Sequence, residues 1–432
     1  MSSFVLRLIV PTLVCLATIG AFAAEIPTSV VSIDSEGQSS NHDWPWWRGP
    51  WRTGEANPNQ NPPTSWSKTE NILWKSPIPG RGHSSPIVVG ESIYLATSDE
   101  STGSQSLMCY DRTTGKKVWQ TVVHESGGMM KNKKATMASS TAAFDGERLF
   151  INFPNNGALY TTALSPEGDI LWQTKISDYV VHQGYGSSPA IYKHLVIVAA
   201  DNKGGGAIAG LDRKTGNIVW KQPRPKLPNY PSPVILNVAG QDQMLMTGCK
   251  LVTSFDPLTG EKNWEVDGAT EECVTSTVTD GTHIFSSGGY PKNHIAAIRA
   301  DGSKKIDWEI GDRVYVPSFV IRGTNLFGVM DAGVAACWNS ETGEELWKAR
   351  LGGNFTASLV LVGDLIYATN EDGTTFLYKA DPAKFDRVAV NKLGDEAFAT
   401  PTICGGRIYM RVTERDGEAR QEYLYCIGQS DK

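Results

Sequence analysis

One phrase recurs along this 432-residue chain and constrains its fold more than any other feature: a polar turn, a glycine and then a tryptophan. It reads YDRTTGKKVW at 110–119, LSPEGDILW at 164–172, LDRKTGNIVW at 211–220, FDPLTGEKNW at 255–264, RADGSKKIDW at 299–308 and WNSETGEELW at 338–347. The tryptophans lie 53, 48, 44, 44 and 39 residues apart, the period of a four-stranded propeller blade. The Asp, Asn or Ser that opens a phrase accepts backbone N–H groups of the turn, and the glycine takes the positive-φ position that closes it. Trp119, Trp172, Trp220, Trp264, Trp308 and Trp347 are therefore expected on outer strands, packed between neighbouring blades, where aromatic burial contributes most.

A second phrase precedes the first in each unit, small residues followed by alternating apolar ones. It gives eight starts: SSPIVV at 84, SSTAAF at 139, SSPAIY at 187, SPVILN at 232, STVTDG at 276, SFVIRG at 318, SLVLVG at 358 and PTICGG at 401. Each opens a hairpin, and small residues suit the crowded inner strands around a propeller axis. The seventh unit, ending KADPAKFDRVAVNKLG, lacks both glycine and tryptophan and reads as a degenerate repeat. The eighth runs out at YLYCIGQSDK without an outer strand, whereas NILWK at 71–75 is an outer strand without a blade. The expected fold is all-β: an eight-bladed propeller of four-stranded antiparallel blades over residues 71–428, its ring closed by the N-terminal strand around Trp74. Closure of this kind removes free sheet edges.

Ahead of the repeats, Arg7, an apolar run from Leu8 to Phe22 and the A-x-A site at Ala21 to Ala23 read as a secretory signal over 1–23, cleaved near Ala23 and too short to span a bilayer. Residues 24–70 are expected to hold a mobile lead, to about residue 43, and a tryptophan-rich arm. DWPWWRGPWRTG at 43–54 is too hydrophobic to leave in water and should pack on the side or base of the propeller. The expected product is a periplasmic or secreted monomer. A net charge of −6 disfavours nucleic acid and anionic membranes. Cys15 leaves with the signal, and Cys109, Cys249, Cys273, Cys337, Cys404 and Cys426 have no close pair among them, so buried thiols are expected rather than a disulfide framework.

In DRTTGKKVW, DRKTGNIVW and DPLTGEKNW the sequence resembles the pyrroloquinoline-quinone-like propeller family, hallmark D-x-x-T-G-x-x-x-W. Its size and blade count look like the BamB-type outer-membrane assembly factors, and WPWWRGP and GRGHSSPIV are similar to exported proteins of planctomycete-type bacteria. Two roles follow from the resemblance. BamB-type proteins carry no cofactor and hold partner proteins on face loops. Quinoprotein dehydrogenases bind pyrroloquinoline quinone under adjacent cysteines, with a calcium ion and an Asp base. No two cysteines are adjacent here, so no cofactor is expected.

Residues just before the inner strands should gather at one mouth of the central channel: His83, Tyr185, Tyr230, Glu272, Tyr315, Phe355 and Phe398. An aromatic ring there suits a peptide strand, a sugar or a flat ring, unless the side chains plug the channel by packing on one another. The longest interblade connection, 122–140, brings His124, Lys131, Lys133 and Lys134 beside it; such a loop suits an acidic partner or is a solvated charge run. The histidines are scattered, without H-E-x-x-H or C-x-x-C spacing, and neither a nucleophile elbow nor a P-loop is present. The reading is an exported, non-catalytic scaffold of the cell envelope binding a protein or polysaccharide partner. The alternative is a quinone- or metal-dependent oxidoreductase acting on an alcohol or sugar.

Overall fold

The computed structural model describes Met1 and residues 43–429; the signal and lead expected over 1–42 fall outside the described residues beyond Met1. The fold is all-β, with eight sheets in one ring. Blades 1 to 8 begin at Ile87, Ala143, Ala190, Val234, Val278, Val320, Val360 and Thr402, and each runs from an inner strand at the axis to an outer strand at the rim. The outer strand of blade 8 is Ile72–Ile78, antiparallel to Ala419–Ile427 with Trp74 opposite Cys426. Blade 7 departs from four strands, because Glu55–Ala56 adds to its inner strand in parallel and makes it five.

The recurrent tryptophan joins blades by a specific contact. Each indole lies on the turn glycine of the next blade: Trp74 on Gly115, Trp119 on Gly168, Trp172 on Gly216, Trp220 on Gly260 and Trp308 on Gly343. A Cβ on Gly115 would stand 2.4 Å from the Trp74 ring, so the glycine is needed for its missing side chain as much as for its φ of 70°. The indole N–H donates into the same turn, from Trp119 to the Pro166 carbonyl at 3.0 Å, Trp172 to Arg213 at 3.2 Å and Trp308 to Ser340 at 2.8 Å. Two residues on, a hydroxyl adds a bond to the glycine carbonyl, Thr121 to Gly168 at 2.7 Å and Thr174 to Gly216 at 2.8 Å. Two indoles depart from the pattern: Trp264 donates to Gln243 Oε1 at 2.9 Å, and the buried Trp220 N–H has no partner among the described residues.

The seventh unit lacks the glycine and the tryptophan and still forms a full blade from Val360–Val362 to Arg387–Lys392. Its outer strand Arg387–Lys392 faces blade 8, whose third strand ends at Ile427 and whose fourth arrives from the N-terminal side. Blade 8 has no turn between those strands, so a tryptophan at the end of blade 7 would have nothing to lie on. Trp347 still donates to the blade 7 turn, at Asp381 O, 2.8 Å, and Phe385 packs on its ring in place of a glycine turn.

The small residues before the inner strands form two arcs of hydrogen bonds around the axis. The Ser85 N–H donates to Thr141 Oγ1, Thr141 to Ser188 Oγ and Ser188 to Ser232 Oγ, at 2.8–3.1 Å. Across the axis, Ser276 donates to Ser318, Ser318 to Ser358 and Ser358 to Thr400, at 2.9–3.0 Å. Each hydroxyl satisfies a buried backbone donor of the preceding blade.

Replacing Trp172 by Ala should destabilise the protein by about 3 kcal/mol in denaturant unfolding, because the Gly216 turn loses its cover. Val219→Ala, at an exposed rim position of blade 3, should change stability by less than about 0.5 kcal/mol. Equal effects would show that the indole contact does not hold the blades together.

Candidate functional site

The inner strand of a propeller blade has a free edge facing the axis, and its carbonyls and N–H groups need partners. Here the tryptophan-rich arm supplies them at the base and touches all eight blades. Trp44 exchanges backbone bonds with Val88 of blade 1, and Pro45 O accepts from Phe144 N of blade 2. Arg52 donates to Ile191 O of blade 3 at 2.6 Å and reaches Ile235 O of blade 4 at 3.5 Å. Trp47 Nε1 donates to Ser276 Oγ of blade 5 at 2.8 Å. Arg48 donates to the Phe319 carbonyl of blade 6 and, at 2.9 Å, to Leu359 O beside blade 7. Gln60 reaches Ile403 O of blade 8 at 3.4 Å. Trp44 and Trp46 are 3% exposed. The arm thus lies on the base, across the axis, and not on the side.

Burial lowers Arg48 to about 9 and Arg52 to about 10, and both stay cationic at neutral pH. Burial also lifts the Glu55 carboxyl to about 7, with Arg48 opposing the rise.

At the mouth, the structure brings together three of the seven residues expected there. Tyr315 OH donates to Glu272 Oε2 at 3.2 Å, and burial with the Glu272 carboxylate raises the Tyr230 and Tyr315 phenols. His182, at 3.0 Å from Glu272 Oε1, completes the group and was not singled out from the sequence; its one signal is its place in the same interblade connection as Tyr185. Tyr315 N also donates to Asp331 Oδ2 at 3.0 Å. The cluster is braced from beneath. Asp201 pairs with Arg224 at 2.9 Å, Asn229 bonds to Asp201 at 3.0 Å, and the Cys273 N–H donates to Asn229 Oδ1 at 3.0 Å, which fixes the residues on either side of Tyr230 and Glu272.

Of the other expected mouth residues, Tyr185 and Phe355 are buried, and His83 and Phe398 are half-buried and pack on one another. Tyr185 is buried, its hydroxyl donating to Ala199 O at 2.8 Å. Phe355 is 1% exposed and packs on Phe376. His83 stacks on Phe398, ring centroids 4.6 Å apart, and burial with Arg81, Arg411 and Arg420 nearby lowers its pKa well below the usual histidine value. His124 is not a loop residue. It ends the outer strand Lys117–His124, packs against Tyr160 and Phe153, and burial holds it at about 4.

The rest of that connection crosses the mouth. The N–H groups of Lys131 and Asn132 both donate to Gln183 O, at 2.8 and 2.9 Å, and Lys133 O accepts from Arg81 at 2.9 Å. Lys134 Nζ reaches Glu371 Oε2 of blade 7 at 2.8 Å. Blade 7 lies opposite blade 3, whose inner strand follows Gln183 in the chain, so residues 131–134 bridge the ring.

The residues present do not fit a quinone held by paired cysteines over calcium. All six cysteines among the described residues are buried free thiols, and burial lifts Cys109 and Cys273 to about 11. Among the described residues no group of three or more His, Cys, Asp or Glu is arranged to hold a metal ion, and no helix is long and apolar enough to cross a membrane.

Fold and axis together define a pyrroloquinoline-quinone-type eight-bladed propeller whose channel is spanned at both ends by its own chain. The family described as outer membrane protein assembly factor BamB matches over residues 64–179, 103–315 and 305–384, and the chain belongs to it. BamB from Moraxella catarrhalis superposes with a TM-score of 0.56 at 13% identity, over 82% of this chain and 99% of that one. Quinohemoprotein alcohol dehydrogenase from Comamonas testosteroni gives 0.63 at 13% identity, over 93% and 82%. A europium-containing methanol dehydrogenase gives 0.62 at 11% identity, over 90% and 98%. These identities show a shared fold and no more. No curated protein matches the chain.

The Glu55 carboxyl makes the arm pH-sensitive in a stated direction. Its folded pKa of about 7 lies above the ordinary 4.5, so its contribution is full below 4.5 and is lost as pH rises to about 7. In denaturant unfolding between pH 4.5 and 8, Glu55→Gln should flatten this part of the profile. Parallel profiles for the two proteins would refute it.

Proposed function

We propose that the protein is an exported, non-catalytic binding scaffold of the cell envelope that holds a polypeptide segment on its mouth face. The observation that carries this reading is the braced cluster of Glu272, His182, Tyr315 and Tyr230 at one end of a channel whose other end is filled by the arm. A fixed carboxylate among aromatic rings recognises a backbone amide or a basic side chain without chemistry of its own. Membership of a family described as an outer membrane protein assembly factor supports a protein partner and an envelope location, as does the apolar run from Leu8 to Phe22.

One observation favours the second reading, a quinone- or metal-dependent oxidoreductase. The alcohol and methanol dehydrogenases superpose over 90–93% of this chain with higher TM-scores than BamB. The donor set described above weighs against it.

Two measurements separate the readings. Titration calorimetry with pyrroloquinoline quinone and calcium, paired with alcohol-dependent dye reduction, should give neither heat nor turnover; both together would make this an oxidoreductase. Fluorescence anisotropy with a short peptide of alternating apolar and polar residues should show binding that weakens about tenfold in a Glu272→Gln, Tyr315→Phe variant. Equal affinity for the two proteins, or binding of an envelope polysaccharide alone, would remove the peptide reading.

A further inference from the structure

The two ends of the channel are closed by different physics. At the base, buried tryptophans and two arginines bonded to inner-strand carbonyls make the arm part of the core. At the mouth, the crossing segment is polar, and Lys131, Lys133 and Lys134 are exposed. Its polar attachments are the two N–H bonds to Gln183 O, the amide pair Asn132 to Gln183 at 2.8 Å, Arg81 to Lys133 O, the Gly157 N–H donating to Met129 Sδ at 3.0 Å, and the ion pair of Lys134 with Glu371. Apolar support is confined to its ends, where Met129 packs half-buried against the blade 2 and 3 core and Ala135 meets Gly184.

We infer that residues 129–135 form a strap latched across the mouth by these polar contacts, and that the strap opens while the propeller stays folded. The Lys134 side chain is 64% exposed and that of Glu371 15%, so solvent reaches the pair from the lysine side and salt weakens it. An element held in this way opens at a free energy well below that of the ring, whose blades separate only with loss of buried indole contacts. The strap bonds to Gln183, the neighbour of His182, and His182 holds Glu272. This consequence rests on the function proposed above: opening uncovers the cluster at which the mouth would meet a ligand, and closing shields it. Lys134 is in this view a latch, not a group presented to an acidic partner.

The test needs no ligand, so its outcome is independent of what the mouth binds. Hydrogen exchange is followed at the Lys131 and Asn132 amides of the full chain, with Trp44 and Val88 at the base as references. In the unmodified protein the strap amides should exchange more than about a hundredfold faster than the references. Raising NaCl from about 0.02 to about 0.5 M should speed the strap amides about two- to fivefold and leave the references unchanged. Glu371→Gln and, separately, Lys134→Met should do the same at low salt. Strap amides that exchange together with Trp44 and Val88, or that respond to neither salt nor either variant, would overturn the latch.

Discussion

An indole lying on a glycine turn is the contact on which the rest of this ring depends. Every blade but the seventh presents a tryptophan to the turn of the next, so these turns are buried by a neighbour rather than by their own blade. Stability is then a sum over neighbours, and it has a boundary problem where chain ends meet. The chain solves it by drawing Ile72–Ile78 into blade 8, which returns Trp74 to the Gly115 turn of blade 1. The same contact explains the one place where the repeat breaks. Blade 8 is built from both ends of the chain and has no turn to receive an indole, and blade 7 accordingly carries none.

Much of this was legible in the sequence because period and turn chemistry are local. Spacing of Trp119 to Trp347, the eight hairpin starts and the orphan strand at Trp74 define blade number and ring closure without reference to contacts. What those signals do not carry is direction. The period places Tyr185, Phe355 and Tyr315 at the same end of three blades, but only Tyr315 reaches Glu272; the rotation of each side chain is set by neighbours far away in sequence, such as Asn152 for Tyr185 and Phe376 for Phe355. His124 was read as a loop residue because its strand is longer than its repeat suggests, and His182 was passed over because nothing beside it marks it. The hydroxyl arcs were visible only as small residues, since their acceptors serve N–H groups of the preceding unit.

The arm shows a further limit of pattern reading. Four tryptophans in nine positions say that residues 43–51 are buried, not where. The answer lies in eight inner edges whose carbonyls point at the axis, and backbone groups leave no trace in composition. Arg48 and Arg52 are the residues suited to that place, because a guanidinium offers several donors in a fixed plane and stays charged despite burial. Glu55, carried into the same space, is held at about 7 as a consequence of the fold's geometry.

These closures also decide where recognition can occur. A channel filled from the base by Trp44, Trp46 and two buried arginines admits nothing along its length without undoing contacts to all eight blades. The mouth is the end where side chains meet solvent through a polar segment, and there a carboxylate, a histidine and two phenols are fixed by the Asp201, Arg224 and Asn229 network beneath them. On the proposed reading, a fixed cluster lowers the entropy lost on binding, and a strap that opens above it sets when binding is possible. Rigidity below and mobility above are compatible because they rest on different interactions, a buried ion pair with its hydrogen bonds in one case and solvent-reached polar contacts in the other.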